Sequence, residues 1–588
     1  MKGVGKDSAR IMIVGEAPGK NEEEQGIPFV GASGDEFLRM LTEAGLVPME
    51  LRQELKPGSY SLGHMVRDGK TDIFLTNVCR VRPPQNKIEK FFFNKTEAKK
   101  RGIAEYLGRY PSSEIHDGIA ELRSEISGTN PNVIVACGGT ALWALTNHDG
   151  IMRWRGSTLR SRFYRPDGTP YTVVPIIHPA AILRAWKGRI ITVHDLKRRV
   201  APRIESPTFE EPEYKFLIRP DFETAEKALR ALLAAADSDV LPLAVDLETR
   251  LHSYIACIGL AWSNRDALCI PFMCIEDNAG YWTWEQELKI ILLLKKLLTH
   301  PNVKIIGQNF EYDRQYILRN WCFKCPLEDD TMTAHHTYQP EMRKALDFLS
   351  SLYCQFHQYW KDESKEWEQT MDEDLFWEYC CKDAVVTFEC MQALTEQLKK
   401  VGQWENYRFQ MKQHNHVFYT NSRGIRMDFT IRNEYINLLT DAILEHEGYF
   451  MSIIGKHVDA KSGAKNWWDS PQQTMRLLYE WFKVPIQVDK HTKRPTSKND
   501  FFPQFMQDEP LLRPILLRLD NYRSLVQARN VCQMRLWNGR IMTALNIDGP
   551  ETFRYSSSIN AFNEGTNCQN LTSGEKENVL LEQWGKKQ

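Results

Sequence analysis

Apolar positions along the chain follow different periods in different stretches, and the changes of period divide it. In residues 1–200, short β-branched runs alternate with helical patterns. Ile11–Val14, Ile73–Val78, Val133–Ala136 and Tyr171–Ile177 read as strands, and Phe37–Ala44, Ile115–Ser127 and Thr140–Leu145 as helices. Continuous apolar strands separated by helices predict a parallel α/β sheet covered on both faces. Ala201–Tyr214 holds three prolines and four glutamates and reads as a linker. A second α/β pattern follows, with strands Leu241–Leu247, Ile255–Trp262 and Val303–Ile306 and an amphipathic helix Trp284–Thr299. From residue 401 three- and four-residue steps dominate, over Glu434–Phe450, Pro471–Trp481 and Pro510–Met534. No internal repeat is visible.

Composition narrows the classes. At about 150 residues per domain, 588 residues predict three or four domains. An apolar fraction of 42% and a charged fraction of 26% exclude a disordered chain. Lys+Arg number 75 and Asp+Glu 76, which excludes a histone-like basic binder. The balance still permits DNA-facing basic segments, such as Arg184 to Arg203, beside acidic metal sites. Ile11–Val14 is too short for a leader, and Ile290–Leu298 is interrupted by Lys295 and Lys296, so no membrane segment is expected. Thirteen cysteines without a disulfide-framework spacing fit a reducing, cytoplasmic compartment, and the Cys322–Cys325 pair lacks a second ligand pair for zinc.

The first candidate constellation begins where the strand Ile11–Val14 runs into Gly15-Glu16-Ala17-Pro18-Gly19. Such a loop brings backbone N–H groups and one carboxylate close to a ligand. Phe29 stands next to glycine in Pro28-Phe-Val-Gly31. Asn77 ends a strand before Arg82-Pro-Pro84, and His178 ends another in His178-Pro-Ala-Ala-Ile-Leu-Arg184. In order and spacing these motifs resemble family-4 uracil-DNA glycosylases over nearly all of residues 10–200. The resemblance implies a flipped uracil stacked on Phe29 and paired along its polar edge by Asn77. It implies that His178 donates to the carbonyl of the departing base and that Glu16 positions or polarises the attacking water. The loop Glu16–Gly19 would grip the DNA strand, with Arg184 a further DNA contact. Relatives of this type hold an iron–sulfur cluster through four cysteines. Here the first cysteine is Cys79, and Val81 and Gly118 occupy two of the ligand positions, so no cluster is expected.

The second constellation is acidic. In Val245-Asp-Leu-Glu-Thr249, strand alternation puts Asp246 and Glu248 on one face. Asn309-Phe-Glu-Tyr-Asp313 follows a later strand, and Tyr379 and Asp383 share a helix face four residues apart. Converging carboxylates repel one another unless divalent cations join them, and oxygen-only ligands suit Mg²⁺ or Mn²⁺. The three motifs, with Asp330-Thr-Met332 between the second and third, resemble the proofreading 3′–5′ exonuclease domain of family-A DNA polymerases. By that resemblance Asp246, Glu248 and Asp383 hold one metal ion, Asp246 and Asp313 the other, and Tyr379 orients the attacking water.

The third region resembles the start of the polymerase domain of the same family. Asn421-Ser-Arg-Gly-Ile-Arg-Met-Asp428, Trp468-Asp-Ser-Pro-Gln-Gln473, Thr552-Phe-Arg-Tyr-Ser-Ser557 and Asn567-Cys-Gln-Asn570 carry the likeness, with Phe553 in place of a glycine and Cys568 in place of a leucine. By resemblance Arg554, Gln569 and Asn570 lie near primer–template DNA, where Arg and amides suit phosphate contacts. The palm carboxylates do not appear before Gln588. The expectation is a chain that does not polymerise alone, its palm in a second chain or exon.

The fold expected is α/β multidomain. A glycosylase-like parallel α/β sandwich (1–205) precedes an RNase H-like (DnaQ-type) exonuclease domain (206–400) and a mainly helical start of a polymerase thumb and palm (401–588). The expected function is that of the N-terminal portion of a family-A DNA polymerase of bacteriophage type, acting on single-stranded 3′ ends and primer–template in the host cytoplasm. The rivals are a stand-alone repair glycosylase–exonuclease and a non-catalytic DNA-holding subunit of a split polymerase.

Overall fold

The computed structural model describes residues 1–57, 59–274, 276–363, 372–458, 465–570 and 575–585. They fall into two compact units, Met1–Met411 and Lys412–Gln588. The first unit holds two six-stranded sheets.

The first sheet comprises β1 (Val4–Gly5), β2 (Ile11–Gly15), β3 (Ile73–Asn77), β4 (Val133–Cys137), β5 (Leu159–Tyr164) and β6 (Pro170–Ile176), in the order β1-β3-β2-β4-β6-β5. Every residue of β2, β3 and β4 is buried, because α1 (Ala32–Glu43), α2 (Ser113–Thr129) and α3 (Gly139–Thr146) are among the helices that cover the sheet. Each fully buried Ile or Leu there contributes about 2 kcal/mol of hydrophobic stabilisation. The central strands are parallel, as the sequence predicts. The edges are not: β1 and β5 run antiparallel to their neighbours. In β5, Leu159, Ser161 and Phe163 are buried while arginines stand between them, so the strand alternates and lacks the continuous apolar run of a central one. The strand register collects the loop residues at one end of the sheet. Gly15 lies opposite Asn77, and Cys137 opposite Ile176, so residues 16, 77, 138 and 178 emerge at one edge.

The second sheet is mixed. It comprises β7 (Lys215–Leu217), β8 (Leu241–Arg250), β9 (Tyr254–Ala261), β10 (Asp266–Pro271), β11 (Val303–Gly307) and β12 (Asp329–Asp330), in the order β12-β11-β8-β9-β10-β7. β8, β9 and β10 form an antiparallel meander, and β8 pairs in parallel with β11. Two capped helices, α4 (Phe222–Ser238) and α5 (Trp284–Leu298), pack on each other; Asp221 and Thr283 accept from the N–H groups of Thr224 and Gln286. After β11 comes α6 (Glu311–Trp321). The long helix α7 (Glu373–Lys400) lies over β8, β9 and β10. Its approach is close because the facing residues are small. A Cβ on Gly259 would lie 2.9 Å from the Cys380 carbonyl, and the buried thiols of Cys257, Cys269 and Cys380 cluster beside it.

In the second unit, α8 (Phe429–Ile453) packs on α9 (Arg513–Cys532) over a core of Leu439, Ile443, Phe450, Trp467, Leu516 and Leu519. Asp428 caps α8 through the N–H groups of Thr430 and Ile431.

Candidate active sites

At the carboxyl edge of the first sheet, Gly15 is the point around which a pocket closes. A Cβ there would collide with Asn77 Oδ1 and lie 3.0 Å from the Phe29 ring, so only glycine lets these side chains converge. Phe29 is 2% exposed and holds φ of 57°, a strained value for an aromatic residue. Glu22 fixes that turn, its carboxylate accepting from Gly19 N–H at 2.5 Å and Phe29 N–H at 2.6 Å. The rings of Phe29 and His178 lie nearly parallel with centroids 6.4 Å apart. Asn77 is buried, and among the described residues its Nδ2 has no hydrogen-bond partner. A buried amide N–H₂ without a partner is costly unless a ligand completes it.

His178 caps the short helix Pro179–Arg184, its Nδ1 accepting from Ala180 N–H at 3.1 Å. Burial, helped by Arg184, pushes the imidazole pKa down to about 4. The ring is therefore neutral near pH 7, and since Nδ1 accepts, its proton sits on Nε2 as a donor. Glu16 accepts from the Thr140 hydroxyl at 2.6 Å, while burial raises its pKa above the ordinary glutamate value. An aromatic face, an open amide, a neutral imidazole donor and one carboxylate thus stand at one end of the sheet.

The second site lies on the second sheet. Asp246 and Glu248 project from the same face of β8, and α7 brings Asp383 to them; the ligand oxygens of all three lie within 4.8 Å of one another. Asp313, in the first turn of α6, is docked beside them by the Leu247 N–H, which donates to its Oδ1 at 3.0 Å. Asp330 sets the start of α6, accepting from Asn309 N–H at 3.3 Å and Phe310 N–H at 2.9 Å. Burial first and the neighbouring carboxylates second hold Asp246 well above the ordinary carboxylate range; burial first and Cys380, then Asp383, do the same for Glu248. Asp313 is raised by burial. Tyr379 is likewise raised by burial, with Asp383 the next cause. Lys361, which belongs to none of the motifs, donates to Asp383 and Tyr379. Burial opposes its charge, but Asp383, Asp246 and Glu248 outweigh that and raise its pKa. Desolvated carboxylates crowded this closely, with oxygen as the only donor atom, fit a divalent cation.

Comparison with known proteins bears on both sites. Residues 2–200 match the family model for the uracil DNA glycosylase superfamily. The type-4 uracil-DNA glycosylase of Archaeoglobus fulgidus is 30% identical over 183 residues, which is 31% of this chain and 70% of that protein. Through these residues the chain belongs to the uracil-DNA glycosylase superfamily. The type-4 enzyme of Thermotoga maritima is 27% identical over 33% of this chain and 79% of its own length. Residues 220–399 match the 3′-5′ exonuclease family model, so the glycosylase domain is fused to an exonuclease domain of DNA-polymerase type. A DNA polymerase of Bacillus phage SP01 is 23% identical over 54% of this chain, a match that spans only 31% of that polymerase.

The glycosylase domain does not fit the iron–sulfur cluster that its type-4 likeness implies. Near the ligand positions only Cys79 carries a thiol; it is buried, with its Sγ–H donating to the Val81 carbonyl at 3.3 Å. A cysteine at 118 would drive its Cβ into the Val78 carbonyl oxygen, because α2 packs flush against the end of β3.

Three arginines of the basic stretch Arg184–Arg203 are engaged within the protein. Arg189 is paired with Glu36 and Glu43. Arg198 and Arg199 donate to carbonyls of Ser351, Tyr353, Cys354 and Gln355, tying glycosylase to exonuclease. Arg184 itself is exposed on the last turn of its helix.

In the second unit, Arg554 is exposed, and Gln569 is exposed with its Nε2 donating to the Tyr555 carbonyl at 2.8 Å, which joins the two polymerase-like motifs. Phe553, where the family has glycine, holds φ of 57°. The side chain of Asn570 lies outside the described residues. Sequence reasoning missed Glu22, Thr140, Trp360 and Lys361. Only the Glu22 position, three residues into a helix that opens on Gly19, carried a local signal.

Proposed function

We propose that this chain combines excision or capture of uracil, or of a modified pyrimidine, with two-metal 3′–5′ hydrolysis of DNA ends, in the setting of a family-A phage DNA polymerase. The observation that carries the reading is the set of half-buried Asp246 and Glu248 with buried Asp383, their ligand oxygens within 4.8 Å and Tyr379 one helical turn from Asp383. Divalent ions held there, Mg²⁺ or Mn²⁺, would supply the positive charge that phosphodiester hydrolysis needs at the attacking water and the leaving 3′ oxygen. Asp246, Glu248 and Asp383 would hold one ion and Asp246 and Asp313 the second. Tyr379 would orient the attacking water.

In the pocket, Phe29 stacks on a base taken out of the duplex and Asn77 pairs with its edge. Neutral His178 then donates from Nε2 to the carbonyl on which charge develops. Glu16 holds the water. Arg184, Arg554, Gln569 and Asn570 would contact DNA. The likeness to a phage polymerase supports reading the protein as one that acts in the cytoplasm of an infected bacterium.

The test uses two substrates. A 3′-labelled single strand with Mg²⁺ should be shortened by the wild type and not by Asp246→Ala; equal degradation by both ends the metal assignment. A uracil-containing duplex, heated in alkali after incubation, should break at the uracil. If no break appears with equimolar protein but the duplex is still retained in a binding assay, the pocket holds the base without excising it.

A further inference from the structure

Lys361 lies outside every exonuclease motif, yet its ammonium sits among the site's side chains. Its Nζ donates to Asp383 Oδ2 and, over 2.8 Å, to the Tyr379 hydroxyl. The indole N–H of the adjacent Trp360 donates to the other Asp383 oxygen at 2.7 Å. Donors on both oxygens fix the plane of the Asp383 carboxylate. An ammonium only donates, so the Tyr379 oxygen is the acceptor and its own proton points away from Lys361.

Both residues arrive on an extended strap that follows the helix Leu346–Tyr353. The strap is anchored on the glycosylase domain. Thr158 N–H donates to the His357 carbonyl at 2.9 Å, and Tyr359 N–H to Ser157 Oγ at 3.2 Å. Arg153 donates to both oxygens of Asp362, at 2.9 and 2.7 Å, and the Tyr359 ring meets Trp154 edge-on at 5.2 Å. Behind it, the buried pair Arg155–Asp195 reaches Ser351 Oγ at 2.9 Å.

We propose that Lys361 is a positioning residue of the exonuclease, fixing the Asp383 carboxylate and the Tyr379 hydroxyl, and that residues 153–158 of the glycosylase domain fix Lys361 through the strap. The inference rests on the exonuclease reading above. It makes the first domain a structural part of the second domain's site, independent of any base in its own pocket. The rival role, a counter-ion that only offsets buried carboxylates, makes Lys361 dispensable once divalent ions bind.

The experiment measures degradation of a 3′-labelled single strand by the full chain at saturating Mn²⁺, together with Mn²⁺ binding by titration calorimetry. Misplacing a reacting group by about 1 Å costs up to about 10²-fold, and Lys361→Met should lower kcat by about 30-fold with KM for DNA within twofold. Lys361→Arg should recover part of the loss. Mn²⁺ binding in Lys361→Met should be equal or tighter, since a positive charge leaves Asp383. Arg153→Ala, remote from the carboxylates, should lower kcat several-fold.

A kcat for Lys361→Met within twofold of wild type overturns the proposal in favour of the counter-ion. Mn²⁺ binding weakened in step with kcat overturns it in favour of a role in folding alone. An unaffected Arg153→Ala removes the strap from it. Should Lys361→Met fail to fold, the comparison of Lys361→Gln with Lys361→Arg reads the same quantities. Asp246→Ala run in parallel separates failure here from failure of the exonuclease reading, because equal degradation by that variant and wild type sinks the latter alone.

Discussion

The two sites of the first unit use the same architectural device for opposite electrostatic ends. Each uses residues carried on or just beyond central strands, completed by a side chain from a helix start or a packed helix. In the glycosylase pocket the imidazole is held neutral, the single carboxylate is satisfied by Thr140, and the group left over is the amide of Asn77. In the exonuclease cleft the backbone packs four carboxylates into a desolvated space, and what is left over is negative charge. What each site leaves unsatisfied names its ligand class: a polar, uncharged base edge for the first, hard cations and a phosphodiester for the second.

The largest expected effect separates the sites completely. Asp246→Ala removes the proposed metal ligand, whose charge stabilisation of several kcal/mol sets the expected fall in degradation of single strands at about 10³-fold. Uracil excision should be unchanged in the same protein, and a parallel loss of excision breaks the claim that the sites are electrostatically independent. Next, His178→Ala removes one donor from the developing oxyanion, which should cost about 10²-fold in excision while leaving exonuclease kcat intact. Excision that survives this change returns His178 to the role of a helix cap.

How much of this contrast the sequence disclosed depends on the kind of interaction involved. Alternation pairs Asp246 with Glu248 and a four-residue step pairs Tyr379 with Asp383; that these pairs and Asp313 form one site was legible through the resemblance of the three motifs to a known family. Glu16, Asn77 and His178 follow or end parallel strands that deliver their carboxyl ends to one edge; Phe29, in a loop between helices, was legible only through the resemblance of its motif. Lys361 and Trp360 are not readable. Their place depends on a strap held by Arg153, Ser157 and Thr158, some two hundred residues away in the chain, and no local period reports such a contact. The antiparallel edges β1 and β5 and the mixed order of the second sheet were hidden for the same reason, since pairing partners are chosen by tertiary packing. The arginines at 198 and 199 misled through charge: a guanidinium serves DNA phosphate and peptide carbonyls equally well, and here carbonyls take it.

A smaller effect tests the neutrality of the pocket through pH. The folded pKa of His178, about 4, lies below its unfolded value near 6.5. The unfolded state therefore binds more protons between those values, and the group's contribution to stability is complete above pH 6.5 and lost as pH falls toward 4. His178→Gln lacks that loss. The variant's melting temperature minus that of wild type should rise by roughly 2–4 °C between pH 7 and 4.5. Buried carboxylates, with raised pKa values, act in the opposite sense but cancel in the difference. A difference that stays flat across this range contradicts a neutral, buried His178.

The smallest effect concerns the rim, where the sites cease to differ. Arg184 is exposed, and it stands one helix from the imidazole it helps to keep neutral. Exposed charges are screened, so the proposed contact of Arg184 with a phosphate would be weak in itself and dependent on salt. Arg184→Ala should weaken binding of uracil-containing and uracil-free duplexes alike, by about three-fold, and lower the salt dependence of binding by about one ion. The excision step at saturating DNA should hold, apart from a slight rise in the His178 pKa as a like charge is removed. A change confined to uracil-containing DNA would move Arg184 from the rim into base recognition, and the pocket would then hold one charge more than the comparison with the cleft allows.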